Sequence, residues 1–297
     1  MWREVAPDQQ YNVQVDGHNL VVYSFGAGDE VLLCLNGGPG LPCDYLRDAH
    51  GWLKEHNLRV VAFDQLGTGA SARPTDVSLW EISRYVEEVE TVRKALDLGR
   101  VHLLGHSWGG WLGIEYAIHY PDALKSLILE NTVGDIPHLS QELERLRGAL
   151  GSETVAMMQR HEAMGTLDHP QYQAAITLLN YRHVCRLDEW PDPVKRSLGD
   201  WNMGPYETMQ GPNEFLYIGN LKDWNRIPEM AEFKMPILIT TGQHDELTPA
   251  CAHRMKLAAR HAELHVFPNS SHMPFYEEPH AYFPVLLDFL ARHRADG

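Results

Sequence analysis

Apolar residues follow two kinds of pattern along this chain, and the change from one to the other marks its organisation. Residues 11–16, Tyr-Asn-Val-Gln-Val-Asp, alternate, turn at Gly17-His18-Asn19, and resume as Leu20-Val21-Val22-Tyr23-Ser24-Phe25. Alternation on either side of a glycine turn predicts an antiparallel hairpin. Val31–Leu35 is instead continuously apolar, and residues 59–63 are so after Arg59, as expected of strands buried on both faces of a sheet. Further strand patterns, each with one polar residue, return at Val101–Leu104, Ser126–Leu129, 236–240 and 264–267. Between residues 31 and 130, strand patterns alternate with helical ones. Ser78-Leu79-Trp80-Glu81 has the form of a capping box. Behind it Ile82, Tyr85, Val86, Val89, Val92 and Leu96 keep a 3.6-residue period, predicting a helix to about Leu98 that stops at Gly99.

The rhythm changes after Asn131. Helical stretches at Gln141–Leu150, Ser152–Met164 and Gln171–His183 have no buried strand between them. A segment rich in Pro, Gly, Trp and Met follows, to Pro236. The strands then resume, and a final helix is expected from Pro279 to about His293. The pattern predicts an α/β fold with a mostly parallel eight-stranded sheet flanked by helices. Its core comprises residues 1–130 and 236–297, and an inserted helical cap domain spans residues 131–235.

Composition narrows this little. The chain of 297 residues is 44% hydrophobic and 22% charged, as for an ordinary globular protein. Its formal charge of -15 argues against a nucleic-acid partner, which would require a broad basic face. No apolar run reaches membrane-span length and no apolar segment follows Met1-Trp2-Arg3-Glu4, so neither a membrane nor a secretory route is expected, and the cytoplasm is the default location. Cys34, Cys43, Cys185 and Cys251 are scattered without C-x-x-C spacing, and reduced thiols are expected.

The chemistry enters at Gly105-His106-Ser107-Trp108-Gly109, between a strand pattern and a helical one. This is the Gly-x-Ser-x-Gly nucleophile elbow of an α/β-hydrolase fold in its required context. That fold orders its triad Ser, acid, His. Asp245 follows the strand pattern at 236–240, and His272 follows that at 264–267. Ser107, Asp245 and His272 are therefore the candidate nucleophile, orienting acid and general base. Glu246 is an alternative acid, whereas His106 and His244 are assigned to packing and loop structure. The oxyanion hole is expected from the N–H of Trp108 and that of Gly38, in the loop Asn36-Gly37-Gly38-Pro39-Gly40.

These segments, together with Asp64-Gln65-x-Gly67-x-Gly69-x-Ser71 and Gly110, resemble the proline iminopeptidases (prolyl aminopeptidases) and the related L-amino acid amidases. The resemblance spans almost the whole chain. It implies serine hydrolases with a helical cap, and it implies that Glu214, in Pro212-Asn213-Glu214-Phe215, and Glu246 bind the substrate ammonium. Asn36 departs from the family's usual His-Gly-Gly-Pro-Gly, which bears on proline specificity more than on hydrolysis. Of Trp190, Trp201, Met203, Tyr206, Phe215, Tyr217 and Trp224, some are expected to line an apolar pocket and most to seal the cap.

The expected activity is cleavage of the amide or peptide bond after an unblocked N-terminal L-residue, proline or a small apolar one preferred, through an acyl-enzyme. No metal or organic cofactor is needed. Expected partners are small peptides, amino acid amides or arylamides with a free N-terminus. The rival readings are an amino acid amidase, a carboxylesterase or lactonase, and an inactive binding protein that keeps the fold.

Overall fold

The computed structural model describes residues 3–294. Eight strands form one sheet in the order β1-β2-β4-β3-β5-β6-β7-β8. They are β1 (Gln9–Val15), β2 (His18–Phe25), β3 (Glu30–Leu35), β4 (Leu58–Asp64), β5 (Val101–His106), β6 (Leu124–Glu130), β7 (Ile237–Gly242) and β8 (Glu263–Phe267). β1 pairs antiparallel with β2, and β2 with β4; every other neighbouring pair is parallel. The mostly apolar strands β3 and β5 are buried at every position.

Parallel pairing brings the carboxyl ends of β3, β5, β7 and β8 to one edge, where an open α/β sheet places its ligand sites. The glycine loop leaves β3 there, Ser107 leaves β5, Asp245 follows β7 and His272 follows β8. The helical cap is inserted between β6 and β7, with helices at Ile136–Gly148, Ser152–Met164, Pro170–His183, Asp192–Gly199 and Met203–Met209.

The predicted capping box is not formed. Val77–Leu79 is a 3-10 turn capped by Asp76, whose side chain accepts from the Ser78 N–H, and the helix begins only at Ile82. It ends at Ala95, three residues short of expectation, because Asp97 and Gly99 take positive φ (48° and 61°) and turn the chain into β5. The helices Asp44–His50 and Pro249–Ala258 carry no clear periodic signal in the sequence. Both pack against the sheet from short loops at its catalytic edge.

Candidate active site

The elbow is a backbone device. Ser107 sits at φ 57°, ψ −124°, a region a side chain normally avoids, which costs about 1–3 kcal/mol where it occurs. The turn is tight enough that a Cβ on Gly105 would lie 2.2 Å from the Gly109 carbonyl oxygen, and one on Gly109 would lie 2.1 Å from that of Leu35. Only glycine fits at either place. The Ser107 N–H donates to the Glu130 carbonyl at the end of β6 (3.0 Å), and the Thr132 hydroxyl donates to the Ser107 carbonyl (2.7 Å).

His272 and Asp245 meet behind this turn. His272 Nδ1 lies 2.9 Å from Asp245 Oδ1. Asp245 is itself fixed: the Leu247 N–H donates to Oδ1 (2.9 Å), and Asn131 Nδ2 (2.7 Å) and the Thr241 hydroxyl (3.3 Å) donate to Oδ2. Burial pulls the His272 imidazole towards neutrality, but the charge and hydrogen bond of Asp245 outweigh it and raise its pKa. Glu246 Oε1 stands 3.2 Å from the same Nδ1, farther than Asp245, and neither Glu246 oxygen has a hydrogen-bond partner. Asp245 is therefore the carboxylate geometrically suited to orient His272.

Glu246 is fully buried. Burial, followed by the charges of Asp245 and Glu214, pushes its pKa well above the usual carboxylate range. Glu214 comes from the cap and is held from its own side, where the Tyr206 hydroxyl donates to Oε1 (2.8 Å) and Gln210 Nε2 to Oε2 (3.0 Å). Tyr217 completes the cluster. Its buried hydroxyl is unpaired and feels the fields of Glu214, Glu246 and Asp245. Sequence reasoning gave Asn131 no place in this site and left Tyr206 and Tyr217 among the cap residues that either line an apolar pocket or seal the cap. Asn131 directly follows β6 and takes φ 46°, which no sequence pattern announces.

Ser107, His272, Glu214, Gly37 and Gly38 line one cavity of about 100 Å³. Its walls are otherwise mostly apolar, including Leu41, Val184, Trp190, Leu198, Trp201 and Met273. Trp190 and Trp201 thus face the site, whereas Trp224 anchors the cap by donating to Glu115 Oε1 (2.6 Å) and Met203 is exposed. The Trp108 ring is buried and donates to Gln65 Oε1 (2.9 Å), leaving only its backbone free for the site.

The glycine loop is braced from several sides. Asn36 Nδ2 donates to the Leu41 (2.7 Å) and Gly37 (3.1 Å) carbonyls, tying the two ends of the loop together. Asn36 is buried and turned into the loop, away from the substrate space. The Gly37 N–H is taken by the Tyr45 hydroxyl (2.6 Å), which makes Gly38, at φ +55°, the next donor along the loop. From the cap, Trp201 Nε1 donates to the Pro39 carbonyl (3.2 Å) and the Asn202 N–H to the Gly40 carbonyl (2.9 Å).

The alpha/beta hydrolase fold family model matches residues 30–279. A proline iminopeptidase from Saccharolobus solfataricus is 35% identical over 273 residues, covering 91% of this chain and 87% of the relative. One from Heyndrickxia coagulans is 36% identical over 266 residues, covering 89% and 91%.

The chain belongs to the proline iminopeptidase family of α/β-hydrolases.

Among solved structures, VinJ superposes with a TM-score of 0.92 at 31% identity, covering 97% of this chain and all of that one. The proline iminopeptidase of Mycobacterium smegmatis gives 0.88 at 33% identity, covering 96% and 98%. The coverage includes the cap as well as the sheet, so the likeness to this family is not confined to the hydrolase core.

Proposed function

We propose that this protein hydrolyses the amide bond after an unblocked N-terminal residue, proline or a small apolar one preferred, in small peptides, amino acid amides and arylamides. Ser107 attacks the carbonyl carbon while His272 takes its proton; Asp245 keeps the imidazole oriented and stabilises its charged form. The tetrahedral oxyanion receives hydrogen bonds from the Gly38 and Trp108 N–H groups. His272 returns the proton to the leaving amine, and water then releases the acyl group from Ser107 by the same steps.

The observation that carries this reading is Glu214 on the wall of the cavity that contains Ser107, with the fully buried Glu246 carboxyl close enough to feel its charge and making no hydrogen bond, only a 3.2 Å ion-pair contact to His272 Nδ1. An unpaired buried acid is costly unless a ligand completes it. His272 Nδ1 and the two Asp245 oxygens already have partners. The ligand that suits the remaining acceptors brings its own N–H donors and positive charge, as an α-ammonium does. Held at that depth, it leaves space for one residue before the scissile bond, and a cavity of about 100 Å³ with apolar walls suits a proline ring or a small side chain. An esterase would have no use for this acid pair. The buried, unpaired cysteines accord with a cytoplasmic location.

The test is a comparison of kcat/KM for proline and alanine 4-nitroanilides, the matching amides, their N-acetylated forms and a 4-nitrophenyl ester. Free-amine substrates should exceed their acetylated forms by at least about 100-fold, the scale of one or two charge-assisted hydrogen bonds. Glu214→Gln should narrow that gap, and Ser107→Ala should abolish turnover of every substrate. Equal turnover of blocked and free amines would reject the assignment.

A further inference from the structure

Two side chains on the wall of the candidate cavity, Tyr45 and His106, belong to a hydrogen-bonded chain that the proposed mechanism does not use. The Gly37 N–H donates to the Tyr45 hydroxyl (2.6 Å), Tyr45 Oη lies 2.7 Å from His106 Nδ1, and His106 Nε2 lies 2.8 Å from the His272 carbonyl oxygen. All four residues are buried. A carbonyl can only accept, so Nε2 carries the His106 proton. Burial, then the neighbouring His272, holds the imidazole neutral, so Nδ1 has a lone pair and Tyr45 must donate to it. Every donor and acceptor in the chain is thereby assigned, with one tautomer and one direction throughout.

The two ends of the chain are parts of the catalytic apparatus. At one end, fixing the Gly37 N–H sets the peptide immediately before Gly38, whose own N–H is the candidate oxyanion donor. At the other end is the main chain of His272, the candidate base. We propose that Tyr45 and His106 are positioning residues that hold the oxyanion loop and the catalytic histidine in register through one neutral imidazole. This rests on the catalytic reading of Ser107, Gly38 and His272 given above. Packing alone would require rings at these positions, and the rings do pack: His106 lies 4.5 Å from the His272 ring and 5.2 Å from Phe275, centroid to centroid. It would not require a hydroxyl on Tyr45, or an acceptor and a donor on opposite sides of the His106 ring.

Register matters most when the oxyanion forms, since misplacing a catalytic donor slows turnover far more than it weakens binding. Tyr45→Phe keeps the ring and removes only the hydroxyl, leaving the Gly37 N–H and His106 Nδ1 without partners. It should lower kcat about 10- to 100-fold on amides and ester alike, the order expected for impairing an oxyanion donor, with KM within twofold. Affinity for an aminoboronic acid, whose tetrahedral adduct places an oxygen in the oxyanion site, should fall in parallel with kcat. Affinity for the free amino acid product should not change. His106→Leu cuts the same chain, so the double variant should be within about twofold of the slower single variant.

The experiment measures these constants with melting temperature alongside. A Tyr45→Phe enzyme whose kcat stays within twofold of the parent overturns the proposal. So does one in which boronate and amino acid affinities fall together. If His106→Leu fails to fold, the hydroxyl variant alone decides. Turnover retained by Ser107→Ala would overturn the catalytic reading itself, whereas an inactive Ser107→Ala beside a fully active Tyr45→Phe overturns only the positioning role.

Discussion

Glu246 and His272 share one small volume, yet their proton affinities act on different steps. A general base must be neutral to accept the serine proton. The His272 pKa is raised, because Asp245 more than offsets burial, so activity should begin to fail on acidification at a pH above the ordinary imidazole value of about 6.5. Glu246 is also raised, by burial and then by the charges of Asp245 and Glu214, so its carboxyl resists the ionisation that pairing with an ammonium requires. Free-amine substrates should therefore show a steeper acidic limb in kcat/KM than a 4-nitrophenyl ester without an amine, which senses His272 alone. Glu246→Gln should lower kcat/KM for free amines by about 10- to 100-fold, leave the ester nearly unchanged, and bring the two pH profiles together. Profiles that coincide in the parent enzyme would refute this division of labour.

Strand–loop connections carry the site, and they explain what was legible in the sequence. Ser107 and Asp245 follow strands buried at every position, and His272 follows the edge strand β8, which is only partly buried apart from Phe267. Once the strands are recognised, parallel pairing brings the three to one edge, so the triad candidates could be found without contacts. Tyr45 could not. It lies on the seven-residue helix Asp44–His50, too short for a period, and its hydroxyl gains meaning only where β3 and β5 lie side by side. Tyr206 and Tyr217 were legible only as cap residues that either line a pocket or seal the cap, because a sequence does not tell which end of a buried tyrosine lacks a partner. The Ser78 capping box failed for a local reason: Asp76, two residues earlier, takes the Ser78 N–H into its own turn.

At the same scale, Asn202 is a prediction. Its Oδ1 caps the helix Met203–Met209 through the Gly204 N–H (3.1 Å), and its Nδ2 donates to the Gly67 carbonyl of the loop after β4 (2.9 Å). Asn202→Ala should reduce stability by about 1 kcal/mol, the usual cost of a lost cap. Because the same residue's backbone holds Gly40, it should also slow every substrate several-fold, ester included. Chemical denaturation and steady-state kinetics check the two halves, and a loss confined to free-amine substrates would contradict the second.

Across the whole molecule, a large pH-dependent contribution to stability should come from beneath the sheet edge. Glu130 is fully buried beside the Tyr282 hydroxyl, which lies 2.7 Å from His50 Nε2, and His50 Nδ1 faces the Leu46 carbonyl (2.9 Å). Burial lowers the His50 pKa to about 4, so the ring is neutral at neutral pH; Nδ1 donates to Leu46, and Tyr282 donates to Nε2. The proton between Glu130 and Tyr282 then belongs to Glu130, consistent with its pKa being raised by burial to about 8. An acid whose folded-state pKa is raised stabilises the fold fully below its unfolded value of 4.5 and loses that contribution as pH rises towards 8. Urea denaturation should show Glu130→Gln losing less stability than the parent between pH 5 and 8, by a few kcal/mol. Equal pH slopes would refute the assignment.

The grip of Trp201 and Asn202 on the Pro39–Gly40 backbone has a consequence for engineering. On the proposed mechanism, the insertion is not an interchangeable specificity module set upon a self-sufficient catalytic chassis, since it furnishes part of the support for the oxyanion loop. A chimera that exchanges this region to recruit new substrates must carry both residues with it, or supply equivalents. Otherwise it will inherit an intact serine, histidine and aspartate beside a slack anion cradle, and its poor turnover will be mistaken for poor recognition.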